Sequence, residues 1–188
     1  MKRLLAALAM MAAVGSSGAA QSGSRPADSA VPTLESLSIR RNAITRTGMY
    51  VLGGWAVANL AGGGLGYLAD PARADFHLFN AGWNLVNLGL AASGLIGARN
   101  PAVSASLGGE IREQHRVEKT FLVNLGLNVA YMTAGAFMAF GPFDDQRTAQ
   151  FGVSLILQGG FLFAFDLSMA IAHGRNRDYE RLLPVESD

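Results

Sequence analysis

Three asparagines on one stripe of a predicted helix are the residues in this chain most able to do chemistry. Asn80, Asn84 and Asn87 lie within the otherwise apolar residues 78–98. Spacings of four and three place them on the same face of a helix. Amide groups inside a membrane are costly unless they meet partners. The pattern therefore indicates either contacts between helices or a polar path.

Asp166 is the acidic residue that lies well inside a predicted membrane segment. A carboxylate at the centre of such a helix costs about 2.5–3.5 kcal/mol on a translocon scale. It could be a proton or cation site, or a structural carboxylate held by hydrogen bonds. With a helical rise of about 1.5 Å per residue, Asn124 and Asn128 lie at a similar depth, so we expect both to donate to Asp166. The same estimate pairs Asn84 with Gln158.

Four apolar segments must position these residues. They cover residues 47–69, 76–98, 119–141 and 149–173, and each reaches the length of about 20 residues that a membrane helix needs. The first and last connections are short and contain Asp and Pro, which predicts antiparallel neighbours. The expected fold is an all-α, up-down, four-helix transmembrane bundle. A juxtamembrane amphipathic helix is expected at residues 33–46, with Thr33 as a cap.

The predicted helices share a polar seam of small residues and amides, the composition expected of a buried membrane interface. This seam, which is also the expected solute path if there is one, comprises Asn59, His77, Asn80, Asn84, Asn87, Asn124, Asn128, Gln158 and Asp166. Spacings of four between small residues also predict close helix packing at Gly62, Gly66, Gly89, Ser93 and Gly97.

Composition narrows the functional classes. Half of the residues are hydrophobic and 15% are charged, whereas soluble domains carry about 25% charged residues. A net charge of +1 gives no argument for nucleic acid binding. The absence of cysteine excludes disulfides, thiolate nucleophiles and Cys-ligated metal. His77 is expected at the opposite end of the bundle from His115 and His173, so we predict no metal site, no haem and no other cofactor.

The N-terminus is typical of a secretory signal. Lys2 and Arg3 precede an apolar core, and small residues precede Gln21, so we predict a signal peptide at residues 1–20. An uncleaved anchor is the alternative. A linker without apolar periodicity is expected at residues 21–32, and a polar tail at residues 176–188.

Charge and signal peptide predict opposite orientations. Most cations lie at one end of the predicted bundle, which the positive-inside rule places in the cytoplasm: Arg40, Arg41, Arg46, Arg99, Arg112, Arg116, Lys119, Arg175, Arg177 and Arg181. A cleaved signal would place the same end outside. The predicted location is the bacterial inner membrane, with the orientation left open.

Two segments resemble a known family. Residues 47–60 read TGMYVLGGWAVANL, and residues 76–91 read FHLFNAGWNLVNLGLA. The pattern His-x-x-Asn-Ala-x-Trp-Asn-x-x-Asn in the second run resembles an uncharacterised family of small four-span bacterial envelope proteins. The resemblance implies a membrane protein, often with an apparent signal sequence. It implies no activity, substrate or cofactor.

These features predict a non-enzymatic membrane protein with an interaction or scaffold role, and no catalytic residues. The alternative is a small transporter or channel component that moves a proton, a cation or a small polar solute, with Asp166 as the titrating group. The expected partners are the lipid bilayer and either a second copy or another membrane protein, but not nucleic acid.

Overall fold

The computed structural model describes residues 32–99 and 103–182, and all regular structure in these ranges is helical, which confirms the all-α prediction. The four long helices are α1 (Leu34–Ala69), α2 (Ala74–Gly97), α3 (Leu107–Phe140) and α4 (Gln146–Gly174). Short 3-10 helices cover Pro71–Arg73 and Asp178–Leu182. The predicted signal peptide, nearly all of the predicted linker and the last six residues of the predicted tail lie outside the described ranges.

Helix α1 joins two elements that the sequence presents separately. It begins at a capping box, in which the Thr33 hydroxyl accepts from the Ser36 backbone amide and Ser36 accepts from Thr33. The predicted amphipathic helix and the first apolar segment then form one continuous helix, because no Gly or Pro interrupts residues 34–47. Helix α3 likewise includes its charged lead-in and begins after the Ser106 cap.

The four long helices alternate in direction along the chain. At one end, Arg41 of α1 meets Glu110 of α3, and Gln114 of α3 donates to the His173 carbonyl of α4 at 2.6 Å. This is the basic end. At the other end, the Phe76 backbone amide donates to the Gln150 side chain at 3.1 Å.

Two antiparallel hairpins make up the bundle. Helix α1 packs mainly against α2, and α3 packs mainly against α4. Helix α4 also contacts α1 and α2, whereas the backbones of α2 and α3 stay apart. Helix α4 therefore makes most of the contacts between the two hairpins, and α1 adds contacts to α3.

Glycines permit the closest backbone approach inside the second hairpin. A Cβ added to Gly152 of α4 would lie 2.5 Å from the Gly135 carbonyl oxygen and from the Ala139 nitrogen of α3. Such distances are far below normal van der Waals contact, so the two helices require glycine there.

Close packing between α1 and α2 uses Gly63, which was not predicted, and Gly66, which was predicted. Gly63 faces Ala81, with 3.0 Å between a built Cβ and the Ala81 Cβ, and Gly66 faces the His77 ring. Gly62 has no neighbour within 4 Å of a built Cβ, and the same holds for Gly89 and Gly97, while Ser93 is exposed. Within a single chain, the packing prediction fails for these four residues. Adjacent helical positions differ by about 100° in direction, so the small-residue spacing alone selected the wrong face.

Buried polar side chains lie inside the bundle beside an apolar core that includes Leu52, Phe161 and Phe165, and many large apolar side chains lie outside. The only buried residues of α2 are Asn80, Asn84, Asn87 and Ala91, which confirms the predicted stripe. On the same helix, Leu85 is 61% exposed and Val86 is 63% exposed. Helices α1, α3 and α4 also expose large apolar side chains.

By length and composition, two of the described helical segments could cross a membrane, Leu107–Phe140 and Gln146–Leu182. Helix α2 is the most apolar of the four helices on average, even with its buried amides included. Those amides and His77 lower the mean hydropathy of a helix whose outer surface is nonetheless rich in Leu and Val.

Candidate functional site

An amide cluster lies at the contact of α1, α2 and α4; it comprises Trp55, Asn59, Asn80, Asn84, Asn87 and Gln158. The Trp55 indole donates to Gln158 Oε1 at 3.0 Å, and the Gln158 amide donates to Asn80 Oδ1. The Asn80 amide then donates to Asn59 Oδ1 at 2.8 Å. Side chains from three helices are thus joined in one chain of hydrogen bonds.

The remaining amide nitrogens of the cluster are also bonded. Asn84 donates to the Asn80 carbonyl at 2.8 Å, and Asn87 donates to Asn84 Oδ1 at 3.2 Å. Asn59 donates to the Trp55 carbonyl at 2.8 Å. Each amide nitrogen in the cluster therefore donates to another member, as a group buried from water requires.

The predicted pairing of Asn84 with Gln158 is wrong, because Gln158 bonds to Asn80 instead. Helical side chains tilt toward the N-terminus of their helix. Since α2 and α4 run in the same direction, the asparagines of α2 tilt the same way, but the Gln158 side chain is one methylene longer and reaches one turn nearer the start of α2, to Asn80. Depth estimated from the backbone alone does not include this reach.

Aromatic rings cover the amide cluster. The Trp55 indole stacks on the Phe161 ring with centroids 4.0 Å apart. Trp83 meets Tyr131 of α3 edge to face at 5.2 Å, across the space between α2 and α3. Both tryptophans thus pack against neighbouring helices.

Asp166, Asn124 and Asn128 form a second group, here called the carboxylate site. Asn128 Nδ2 donates to Asp166 Oδ2 at 2.6 Å, and the Asn124 amide also reaches this carboxylate. The predicted pairing of both asparagines with Asp166 is therefore confirmed. Asp166 is 4% exposed, and the two amides replace the water that a carboxylate would otherwise bind.

A lateral cleft of about 410 Å³ leads to the carboxylate site. Exposed side chains of α2 and α3, such as Val86 and Leu127, form its rim, and buried Leu52 and Phe165 form part of its floor. Asp166 lines the floor as well. The cleft opens through the side of the bundle, between α2 and α3, whose backbones lie apart.

His77 belongs to the predicted seam but lies apart from the other seam residues. Its ring occupies the space above Gly66 and contacts Phe76 edge to face at 5.2 Å. No described hydrogen bond joins it to the amide cluster, so its contacts indicate packing of α1 against α2.

Sequence reasoning missed a basic-end network, which comprises Ser38, Arg41, Glu110, Gln114, His173 and Asn176. Arg41 pairs with Glu110, and both side chains are at least 94% buried. The Ser38 hydroxyl donates to the same carboxylate at 2.8 Å. One signal was present, since Arg41 falls on the apolar side of the predicted amphipathic helix.

The other half of this network connects α3 to the end of α4. Gln114 donates to the His173 carbonyl and accepts from Asn176 at 3.3 Å. His173 is fully buried, and its ring stacks on Phe121 at 5.6 Å. Continuing the stripe of Phe121, Asn128 and Gly135 back by one heptad would have pointed to Gln114.

The ion pair between Arg116 and Glu113 is more exposed than the pair between Arg41 and Glu110. Arg116 forms a hydrogen bond with Glu113 that lowers the pKa of this carboxyl. Beyond α4, burial raises the pKa of Tyr179, whose hydroxyl lies 3.1 Å from His115 Nε2. This contact fixes the start of the predicted tail, the 3-10 helix Asp178–Leu182, against α3.

In residues 32–99 and 103–182, no group of three or more His, Asp or Glu side chains is placed to hold a metal ion. The acidic residues of the core are instead bonded to amides or to arginine, as Asp166 and Glu110 are.

Residues 51–167 match DUF6992, a family of unknown function. The match covers more than half of the 188-residue chain. The chain belongs to this family. The DUF6992 region contains the whole amide cluster and the carboxylate site, whereas Arg41, Glu110's partner in the basic-end network, lies outside it. Neither curated proteins nor solved structures give a significant match.

Membership of DUF6992 agrees with the resemblance of this chain to an uncharacterised family. The number of membrane spans and the asparagine pattern of that resemblance remain predictions.

Proposed function

We propose that this chain is a four-span integral membrane protein with a non-enzymatic interaction or scaffold role in the bacterial inner membrane. Its bundle interior would serve to fix helix positions, and its outer surface would meet lipid and protein partners. The observation that carries the proposal is the distribution of polarity: amide side chains are buried, and many large aliphatic side chains are exposed on the outer surface.

A bundle with this distribution suits lipid better than water as its solvent. Asn84 and Gln158 have no exposed surface, while Leu68 and Phe140 are 79% and 80% exposed. In water the hydrophobic effect would favour the reverse arrangement. In lipid, buried amides bond across helices and the apolar exterior matches the acyl chains.

Charge at the two ends supports the same interpretation. The end with Arg73 and Arg147 pairs its cations with Asp70 and Asp75, at 3.7 Å and 3.4 Å. The basic end carries a larger set of cations, and cation excess on one side is typical of the cytoplasmic face of multi-span proteins.

The hydrogen bonding of the amide cluster favours a scaffold over a transporter. Polar groups that conduct a solute must exchange protein partners for the solute, whereas these amides bond to one another across α1, α2 and α4. The transport alternative depends instead on Asp166, which a cleft reaches from the side of the bundle.

Single cysteines in this cysteine-free chain test the span number. We expect a membrane-impermeant maleimide to label Arg112→Cys and Arg175→Cys from one side of sealed vesicles, and Arg73→Cys and Arg147→Cys from the other. Val86→Cys and Val57→Cys, on the outer face of the bundle, should react only after the membrane is dissolved.

Two results would count against the proposal. Release of the full chain from vesicles by alkaline carbonate would contradict the proposal that the chain is embedded in lipid. Labelling of Val86→Cys in sealed vesicles, at the rate of Arg112→Cys, would place the outer face of α2 in water. Substrate-dependent protection of a cysteine beside Asp166 would favour the transporter instead.

A further inference from the structure

The lateral cleft between α2 and α3 differs from the rest of the bundle surface because polar groups lie beneath an apolar rim. Its rim presents Val86, Leu90 and Leu127, and its floor presents Asp166 with three asparagines, Asn87, Asn124 and Asn128. Its volume of about 410 Å³ falls within the range of sites for small molecules.

The floor of this cleft offers hydrogen-bond acceptors. The amide nitrogens of Asn87 and Asn128 each spend one N–H, in bonds to Asn84 and to Asp166. Their amide oxygens and the Asp166 carboxylate remain as acceptors for a ligand, and Asp166 is the ionisable group with a carboxylate charge among the described lining residues. No Lys, Arg or His is among the described residues that line the cleft.

We propose that this cleft binds an amphiphilic amine, a molecule with a protonated primary amine and an aliphatic body. The ammonium group would donate to Asp166 and to the amide oxygens beside it, and the body would lie between the rim residues of α2 and α3. An ammonium carries three donors and no acceptor, which complements this floor. An alcohol would lack the charge, and a fatty acid would repel the carboxylate.

The route of entry also favours an amphiphile. The cleft opens through the side of the bundle, between exposed Val86 and Leu127. With the membrane placement proposed above, on which this inference rests, that side faces acyl chains. A ligand would then enter from the bilayer and keep its aliphatic body in an apolar environment.

The test uses the full chain in phosphatidylcholine vesicles and an alkylamine with a photoreactive diazirine in its chain. The alcohol and the carboxylic acid of the same chain length are the comparison probes. We expect photolabelling by the amine to exceed that by the alcohol about tenfold, the scale of one charge-assisted hydrogen bond. Mass spectrometry should place the label on α2 and α3 residues of the rim.

Two variants separate the floor from the rim. Asp166→Asn should reduce photolabelling by the amine to the level that the alcohol gives. Photolabelling by the alcohol should stay the same as in the unaltered chain. Val86→Trp should reduce both by filling the mouth of the cleft. Val57→Trp, on an exposed position of α1 outside the cleft, is the matched control and should change neither.

Equal labelling by amine and alcohol in the unaltered chain would overturn the inference, as would full amine labelling of Val86→Trp. Cross-linking of Leu127→Cys to the same residue of a second copy would also overturn it, because a protein would then occupy the cleft. Carbonate extraction of the same vesicles separates the two proposals. A retained protein without amine preference contradicts this inference alone, whereas release contradicts the membrane placement too.

Discussion

Asn128 Nδ2 lies 2.6 Å from Asp166 Oδ2 and joins the middle of α3 to α4. This bond connects the helices of the second hairpin at a position where both side chains are buried. A charge-assisted hydrogen bond of this length is stronger than one between neutral groups. The carboxylate site therefore contributes to helix pairing in addition to any binding at the cleft.

Asn128→Ala should lower the free energy of unfolding by about 1–3 kcal/mol, because it leaves the Asp166 carboxylate with one amide donor fewer. The change is measured by unfolding the purified protein in mixed micelles with an increasing proportion of a denaturing detergent, while circular dichroism monitors the helix content. Thr133→Ala, on the exposed side of the same helix, is the control and should stay within about 0.5 kcal/mol. An equal loss in both variants would contradict a specific contribution of the bond between Asn128 and Asp166, because Ala itself favours the helix.

The buried Arg41–Glu110 pair should be the most sensitive point of the basic end. Glu110→Ala should cost about 3–5 kcal/mol, because it leaves the Arg41 guanidinium buried without its charge partner. The double change Arg41→Met with Glu110→Leu should cost much less, since it removes both charges. The same unfolding measurement applies.

The exposed pair of Arg116 with Glu113 provides the comparison for that experiment. Glu113→Gln should cost no more than about 1 kcal/mol, because solvent screens the pair. A loss at Glu113 that equals the loss at Glu110 would contradict the role assigned to burial.

Gly152→Ala should force α3 and α4 apart and destabilise the protein by about 1–3 kcal/mol, since the added methyl group meets the backbone of α3 at 2.5 Å. Gly126→Ala is the matched control, because a Cβ there meets nothing within 4 Å. This change should be neutral or raise the free energy of unfolding by up to about 1 kcal/mol through helix propensity. Destabilisation by Gly126→Ala would instead indicate that the outer face of α3 is covered by a partner.

Asp145 should give α4 a pH-dependent cap. Hydrogen bonds from the Thr148 hydroxyl and from the backbone amides of Thr148 and Arg147 lower the pKa of Asp145 below its ordinary value of 3.8. A lowered native pKa stabilises the folded state above the unfolded pKa, and this stabilisation is lost as pH falls through the native value. Asp145→Asn should therefore show a weaker loss of thermal stability between neutral pH and acid.

An NMR titration of the Asp145 carboxyl carbon measures its native pKa directly. A value at or above 3.8 would contradict the cap, because hydrogen bonds to the charged form must lower it.

Helical stripes were predictable from the sequence because they depend on spacing within one helix. The buried face of α2 and the pairing of Asp166 with two asparagines both follow from periodicity and depth. Hydrogen-bond partners that depend on the length and direction of a side chain were harder to predict, as Gln158 illustrates by bonding to Asn80 rather than Asn84.

The basic-end network was missed for a different reason. Arg41 and Glu110 lie in segments rich in charge, where a solvated face is the usual interpretation. Only the packing of α1 against α3 makes these two side chains buried partners, and no local pattern encodes that contact. The lateral cleft likewise results from the separation of α2 and α3, which the sequence does not specify.

The bonding of Gln158 to two helices has a consequence for assembly. Its oxygen accepts from Trp55 of α1 and its nitrogen donates to Asn80 of α2. One side chain of the second hairpin therefore constrains the position of both helices of the first hairpin along the bundle axis. A slip of one helical turn, about 5.4 Å, would strand an indole and two carboxamides without partners in an apolar medium. The bonds of Gln158 therefore favour one axial register between the two hairpins over registers shifted by a helical turn.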